Sequence, residues 1–270
     1  CSLKTLALRS TTALLDQGAG AFYEEPDPQL GREAMGSQLK LLEALLRNEP
    51  DNAKLLMLCA EGFGGNGFLF LEDTQPERAK GFYLRGKDFA LRALARKATF
   101  SRLGELDIES LEKVLRTANG NDVPALFWAA FNWAGWINLS RDSAEALAEL
   151  PKAVLLMRRV EVLSRDYHFA GPDLFFAVYY ASRPAILGGD IKKAKNHFEE
   201  ARRLTQGRFL MAYMLEARHY AVAAQDKELF EGLLSKVKDS PAGTLPNARL
   251  ADEVAKLKAA ALLEKVNDYF

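Results

Sequence analysis

Few residues in this chain have the types and spacing that chemistry requires. Gly62-Phe63-Gly64-Gly65-Asn66-Gly67 fits G-x-G-x-x-G, the loop that cradles a dinucleotide pyrophosphate. That role needs a strand before the loop and a helix after it. Here the glycines follow a helical run with no strand in sight, so they read as a helix end or a close-packed helix crossing. The three histidines are His168, His197 and His219. None forms H-E-x-x-H or a paired Cys/His spacing, so no metal ligands are assigned. No G-x-S-x-G occurs, and no candidate nucleophile stands beside a base. No catalytic residue and no cofactor follow from the sequence. His197 and His219 fall within predicted helices, as surface or edge residues. His168, in a loop with Tyr167 and Phe169, is either an ordinary loop residue or the lining of a mouth.

Binding chemistry is better represented. Phe127, Trp128, Phe131, Trp133 and Trp136 cluster within ten residues, with Asn132 and Asn138 among them, and hold all three tryptophans of the chain. Phe127 and Phe131 share one helix face. Trp128, Asn132 and Trp136 are spaced four apart along a neighbouring one. Large aromatics can fill the gap between stacked helical hairpins. They can also wall a ligand cavity, where indole N–H and amide groups add directional contacts to apolar area. Both readings stay open. The candidate lining residues are Phe127, Trp128, Phe131, Asn132 and Trp136, joined by Tyr167, His168, Tyr179 and Tyr180.

The elements that must position these residues follow one register. After Gly188-Gly189-Asp190, residues Ala194, Phe198 and Ala201 lie on one helix face. Shifting by 36 residues maps Asp190 to Asp226, Ala194 to Phe230, Phe198 to Leu234 and Ala201 to Val237. The preceding helix repeats as well: Phe175 maps to Met211, Val178 to Met214, Ala181 to Ala217 and Ala185 to Ala221. Helix–turn–helix units recurring at roughly 34 residues are the signature of a tetratricopeptide-type solenoid. The expected fold is therefore all-α, about eleven helices in antiparallel pairs. The predicted helices cover 31–48, 53–70, 76–97, 108–118, 123–139, 142–165 with a break at Pro151, the two repeats, and 247–268. Asp107 is a predicted N-cap, and a loop is expected over 166–172. Residues 13–270 read as a single helical domain, because no linker divides them.

Bulk properties exclude other classes. Lys+Arg and Asp+Glu are both 36, so the formal net charge is zero and no basic footprint for nucleic acid exists. Leu and Ala are abundant while isoleucine occurs only at Ile108, Ile137, Ile186 and Ile191, a bias towards helices. The most apolar stretch, residues 123–139, is interrupted by Pro124, Asn132, Gly135 and Asn138, and does not read as a membrane span. Of the two cysteines, Cys59 lies in an apolar helical run as a small buried hydrophobe. Cys1-Ser2-Leu3-Lys4 looks like the start of a mature bacterial lipoprotein, with residues 1–12 as a lipid tether.

Tyr179-Tyr180-Ala181-Ser182-Arg183-Pro184, Leu187-Gly188-Gly189-Asp190, Lys193-Ala194 and His197-Phe198, with Cys1-Ser2 and Ala7-Leu8-Arg9-Ser10-Thr11, resemble the T-component family of tripartite ATP-independent periplasmic (TRAP) transporters. The resemblance implies a tetratricopeptide-like lipoprotein of the periplasm, lipid-anchored through Cys1 and sorted to the outer membrane. It also implies a partner, the substrate-binding component of the transporter. It further implies a homo-oligomer (a trimer) and a cavity for a small organic or hydrophobic ligand. No catalytic residues come with it. A competing reading is an outer-membrane assembly lipoprotein of the helical-repeat type. A third is a cytosolic repeat protein that clamps peptide carboxylates.

Overall fold

The structure, a computed structural model, describes residues 20–270. The lipid tether expected over 1–12, with Cys1, falls outside the described residues. All regular structure is helical, and no strand occurs among the described residues. Twelve α-helices with defined bounds run from Pro28 to Glu264 among them. The chain groups into two compact units, residues 29–164 and residues 165–270 with 20–28. The division falls at Ser164, between successive helices, with no linker.

In the first unit the helices are α1 (Pro28–Leu46), α2 (Ala53–Asn66), α3 (Pro76–Ala95), α4 (Ile108–Leu115), α5 (Val123–Leu139), α6 (Ala144–Ala148) and α7 (Leu150–Leu163). Their starts follow local chemistry. The Asn52 side chain accepts the Lys54 and Leu55 N–H groups, and Asp107 accepts that of Ser110, so donors left over in the first turn are satisfied. Pro76, Pro124 and Pro151 each sit in a first turn, where the missing N–H costs nothing. The predicted 142–165 helix accordingly breaks just before Pro151, into α6 and α7. Beyond Asn66, α2 widens into a π-helical turn, Gly67–Leu71.

Helix α5 packs against α2, α3 and α7. Buried on nearly every side, it has no amphipathic stripe of its own. Asn132, fully buried at 0% exposure, marks its closest approach to α2 and α3. Its Nδ2 donates to Ala60 O (3.0 Å) and to Trp128 O (2.7 Å). Two carbonyl acceptors fix which way the amide points. Its Oδ1, with no hydrogen-bond partner among the described residues, presses on Gly64 and Gly86. A Cβ at those positions would stand 2.6 and 2.3 Å from Oδ1. The Tyr83 ring is slotted in the same way between Gly67 and Gly135, and its hydroxyl donates to Glu72 Oε2 (2.8 Å). The glycine-rich run is thus a helix crossing.

In the second unit the helices are α8 (Tyr167–Ala181), α9 (Ile191–Leu204), α10 (Leu210–Leu215, continuing as a π-helical segment Glu216–Ala221), α11 (Lys227–Asp239) and α12 (Arg249–Glu264). The 36-residue register holds for the second helix of each pair. Asp190 and Asp226 both cap with their side chains, and Ala194, Phe198, Ala201, Phe230, Leu234 and Val237 are all 0% exposed. The first-helix half is looser than the sequence suggested. Met211, Met214 and Ala221 are buried, whereas Phe175 and Val178 are half-buried and Ala185 is exposed. The reason is Pro184, which bars helix at the preceding residue, so α8 stops at Ala181 while its counterpart runs on through the π segment. Residues 166–172 are a further departure. Instead of an open loop, His168, Phe169 and Ala170 form a left-handed turn (φ 47°, 60°, 58°) inside the bounds of α8. Stacking of Phe169 on Phe209, with ring centroids 4.7 Å apart, offsets part of its cost. Fully buried Asp252 ties this unit together by accepting Leu210 N–H (2.8 Å) and Gly243 N–H (3.0 Å).

The crossing at Asn132 sets a stability test within one helix. Gly86→Ala is expected to destabilise by about 1–3 kcal/mol, as overpacking does. Gly81→Ala, on the open side of α3 with nothing within 4 Å, should stabilise by up to about 1 kcal/mol. Denaturant midpoints of the two variants check the opposite signs.

Candidate functional site

The predicted lining residues fall into two groups, one in each unit. In the first unit α5 turns Phe127, Trp128 and Asn132 inward, at 2%, 3% and 0% exposure. Phe127 stacks on Phe131 (6.0 Å), and Trp128 meets both edge-on (5.2 and 5.3 Å). Phe131 and Trp136 are half-buried. With Phe68, Phe82 and Leu139 they pack on a buried cluster of Leu71, Ala79 and Tyr83, forming a half-buried apolar wall. The Lys87 ammonium lies 4.8 Å from the Trp133 ring centre and 5.2 Å from that of Trp136. Burial pushes the Lys87 pKa down, and Lys152 nearby adds to this, while Glu149 and Asp88 oppose it. The wall therefore pairs aromatic area with a cation whose charge is poorly hydrated. An open recess of about 470 Å³ elsewhere in this unit is lined by Glu49–Lys54 and Arg96, and includes none of the aromatic candidates.

In the second unit Tyr167, His168, Tyr179 and Tyr180 are half-buried. Burial pushes the His168 imidazole down to about 4. Tyr179 and Tyr180 meet edge-on (5.1 Å), each under a cation: Arg183 lies 4.2 Å from Tyr179 and Lys193 5.3 Å from Tyr180. Tyr180 also stacks on His197 (5.7 Å). His197 is thus no ordinary surface residue. Its Nδ1 lies 2.8 Å from Asp173 Oδ1, and Arg165 grips the same carboxylate with two donors at 2.8 and 2.7 Å. Burial alone would raise the Asp173 pKa, yet the His197 and Arg165 hydrogen bonds and charges hold it below the usual carboxylate value. Sequence reasoning missed Asp173 and Arg165, which carry no motif. His219, also read as an edge residue, has Nδ1 3.1 Å from Ser182 Oγ.

The turn that joins α8 to α9 is built around glycine. Gly188 has φ 86°, and a Cβ on Gly189 would stand 1.8 Å from Arg183 O. Asp190 then donates its N–H to Tyr180 O (3.1 Å) while its side chain caps α9. Tyr180, Arg183, Gly188, Gly189, Asp190, Lys193 and His197 consequently form one clasp between two helices. Cys59 is fully buried, and burial pushes its thiol up to about 12, so the nucleophilic thiolate is suppressed. No helix among the described residues is long and apolar enough to cross a membrane.

Acid should act on this unit through His168. Its folded pKa of about 4 lies below the ordinary 6.5, so the unfolded chain takes up the proton first. The contribution is fully present above pH 6.5 and is lost as pH falls towards 4. His168→Gln is expected to flatten that part of the stability–pH curve, measured by denaturation across the same range.

No curated protein matches the chain. A family model described as TRAP transporter T-component matches residues 24–270, which spans nearly all the described residues of both units.

Proposed function

Because this chain belongs to the TRAP transporter T-component family, and so has an accessory role in TRAP transport, we propose that it is a non-enzymatic scaffold. In this reading it binds the transporter's substrate-binding component and holds or passes a small organic ligand. The observation that carries the proposal is the extent of the family match, residues 24–270. The fate of the reactive side chains supports it: Asp173, His197 and Arg165 are bound to one another, and the Cys59 thiol is buried. A ligand would rest on the apolar wall of Phe68, Phe82, Phe131 and Trp136, where half-buried rings leave area for contact and Lys87 adds charge. The scaffold would work in the periplasm as a lipid-anchored homo-oligomer held at the outer membrane through Cys1.

Two experiments test this reading. The purified chain, mixed at micromolar concentration with the substrate-binding component of a TRAP transporter from the same cell, is expected to co-elute with it. Absence of a complex at that concentration overturns the proposal. Native mass spectrometry should detect a retained small molecule, and Trp136→Ala should weaken its retention about tenfold, roughly the loss of one large apolar contact. Unchanged retention would remove the wall from the site.

A further inference from the structure

We propose that the turn between α8 and α9 is a membrane-contact element that takes an anionic lipid surface. Ile186 is 91% exposed, Leu187 67% and Ile191 39%, an unusual concentration of large apolar residues held in water. They are held there by a built turn. Leu187 and Gly189 both donate to Pro184 O (2.9 and 3.1 Å), and Gly188 donates to Ala185 O (3.0 Å). Pro184 fixes its own φ, and the two glycines allow the turn that side chains would block: Gly188 has φ 86° and a Cβ on Gly189 would meet Arg183 O. The turn thus presents its apolar tip outwards, and its backbone hydrogen bonds lower the ordering cost of contact.

The surroundings of the tip indicate what it meets. Residues 183–195 hold Arg183, Lys192, Lys193 and Lys195 against a single acid, Asp190, in a chain whose formal net charge is zero. Lys193 lies 3.6 Å from Asp190 and Lys195 lies 3.9 Å from Glu199, but both lysines are more than half exposed, so these pairs do little to cancel long-range attraction. Behind the tip, Arg183 and Lys193 cover Tyr179 and Tyr180. Tyrosine, with an apolar ring and a polar end, is a residue that settles at bilayer interfaces. An aliphatic tip, a basic surround and interfacial tyrosines match the acyl boundary, the anionic headgroups and the zone between them. A tip of two or three side chains falls far short of the ~800 Å² per partner that a stable protein interface buries, whereas a bilayer accepts a small insertion. The contact needs no acyl chain on Cys1.

Sedimentation with vesicles tests the proposal on the chain of residues 1–270 carrying Cys1→Ser, so that no acyl chain on Cys1 contributes. The chain is expected to bind vesicles of phosphatidylcholine mixed with phosphatidylglycerol, to bind phosphatidylcholine alone more weakly, and to lose the difference as salt rises. Ile186→Asp/Leu187→Asp should lower binding about tenfold or more, with helical circular dichroism unchanged. Lys192→Gln/Lys193→Gln/Lys195→Gln should remove the preference for anionic vesicles. Failure of the Cys1→Ser chain to bind either vesicle, or binding by the double aspartate variant equal to its parent, overturns the proposal. So does a double aspartate variant that keeps vesicle binding and loses the substrate-binding component, because the turn would then be a protein contact.

Discussion

The first unit depends on one crowded crossing. Asn132 brings an amide, a large polar group, to a place where α5 crosses α2 and α3 and its side chain lies directly against Gly64 and Gly86. The approach is possible only because Gly64 and Gly86 present hydrogen there. Leaving a buried amide donor unpaired would cost roughly 1–3 kcal/mol, so the Asn132 Nδ2 bond to Ala60 O on α2 favours one rotation of α5, while its bond to Trp128 O stays within the helix. That rotation decides the fate of every aromatic on the helix. Phe127, Trp128 and Trp133 turn into the core, while Phe131 and Trp136 are left at its edge. Whether a residue of α5 lies in the core or at its edge is thus one question of helix rotation, with different answers for different residues.

The second unit depends on a different device. Its buried polar groups are matched in pairs: Asp173 with Arg165 and His197, Glu216 with Arg202, Asp252 with two backbone N–H groups. Burial raises the pKa of both Glu216 and Asp252, the latter to about 6, whereas Asp173, held by His197 and Arg165, moves the other way. Uncompensated buried charge is expensive, so each of these contacts fixes a local arrangement that a purely apolar packing would leave freer. The motif that carried the family resemblance serves the same end. Tyr180, Arg183, Gly188, Gly189, Asp190 and His197 chiefly hold α8 and α9 together.

Much of this was legible in the chain. Helix class and most starts follow from apolar spacing and from Asn52, Asp107, Asp190 and Asp226 at their caps. The bounds of α5 were readable to the residue, because Pro124 opens it and apolar residues recur up to Leu139, with only Asn132, Gly135 and Asn138 among them. What stayed hidden was tertiary. Nothing near Asp173 in sequence announces that Arg165 and His197 converge on it, since the contacts span 8 and 24 residues. The left-handed turn at 168–170 uses no glycine, so the usual sign of positive φ is missing. The glycines at 62–67 could be set aside as a phosphate loop, but their partners Asn132 and Tyr83 lie on other helices and could not be named. For the candidate lining residues, types and helix faces were readable, and burial then divided them.

All three tryptophans lie on α5, so the two halves of this molecule are optically unequal. Indole emission reports the residue 29–164 unit alone, with the Lys87 ammonium 4.8 and 5.2 Å from the Trp133 and Trp136 rings. The residue 165–270 unit is seen only through its tyrosines and its backbone. The chain thereby carries a built-in means of telling a melting event, or an arriving molecule, in one half from the same event in the other, with no label attached.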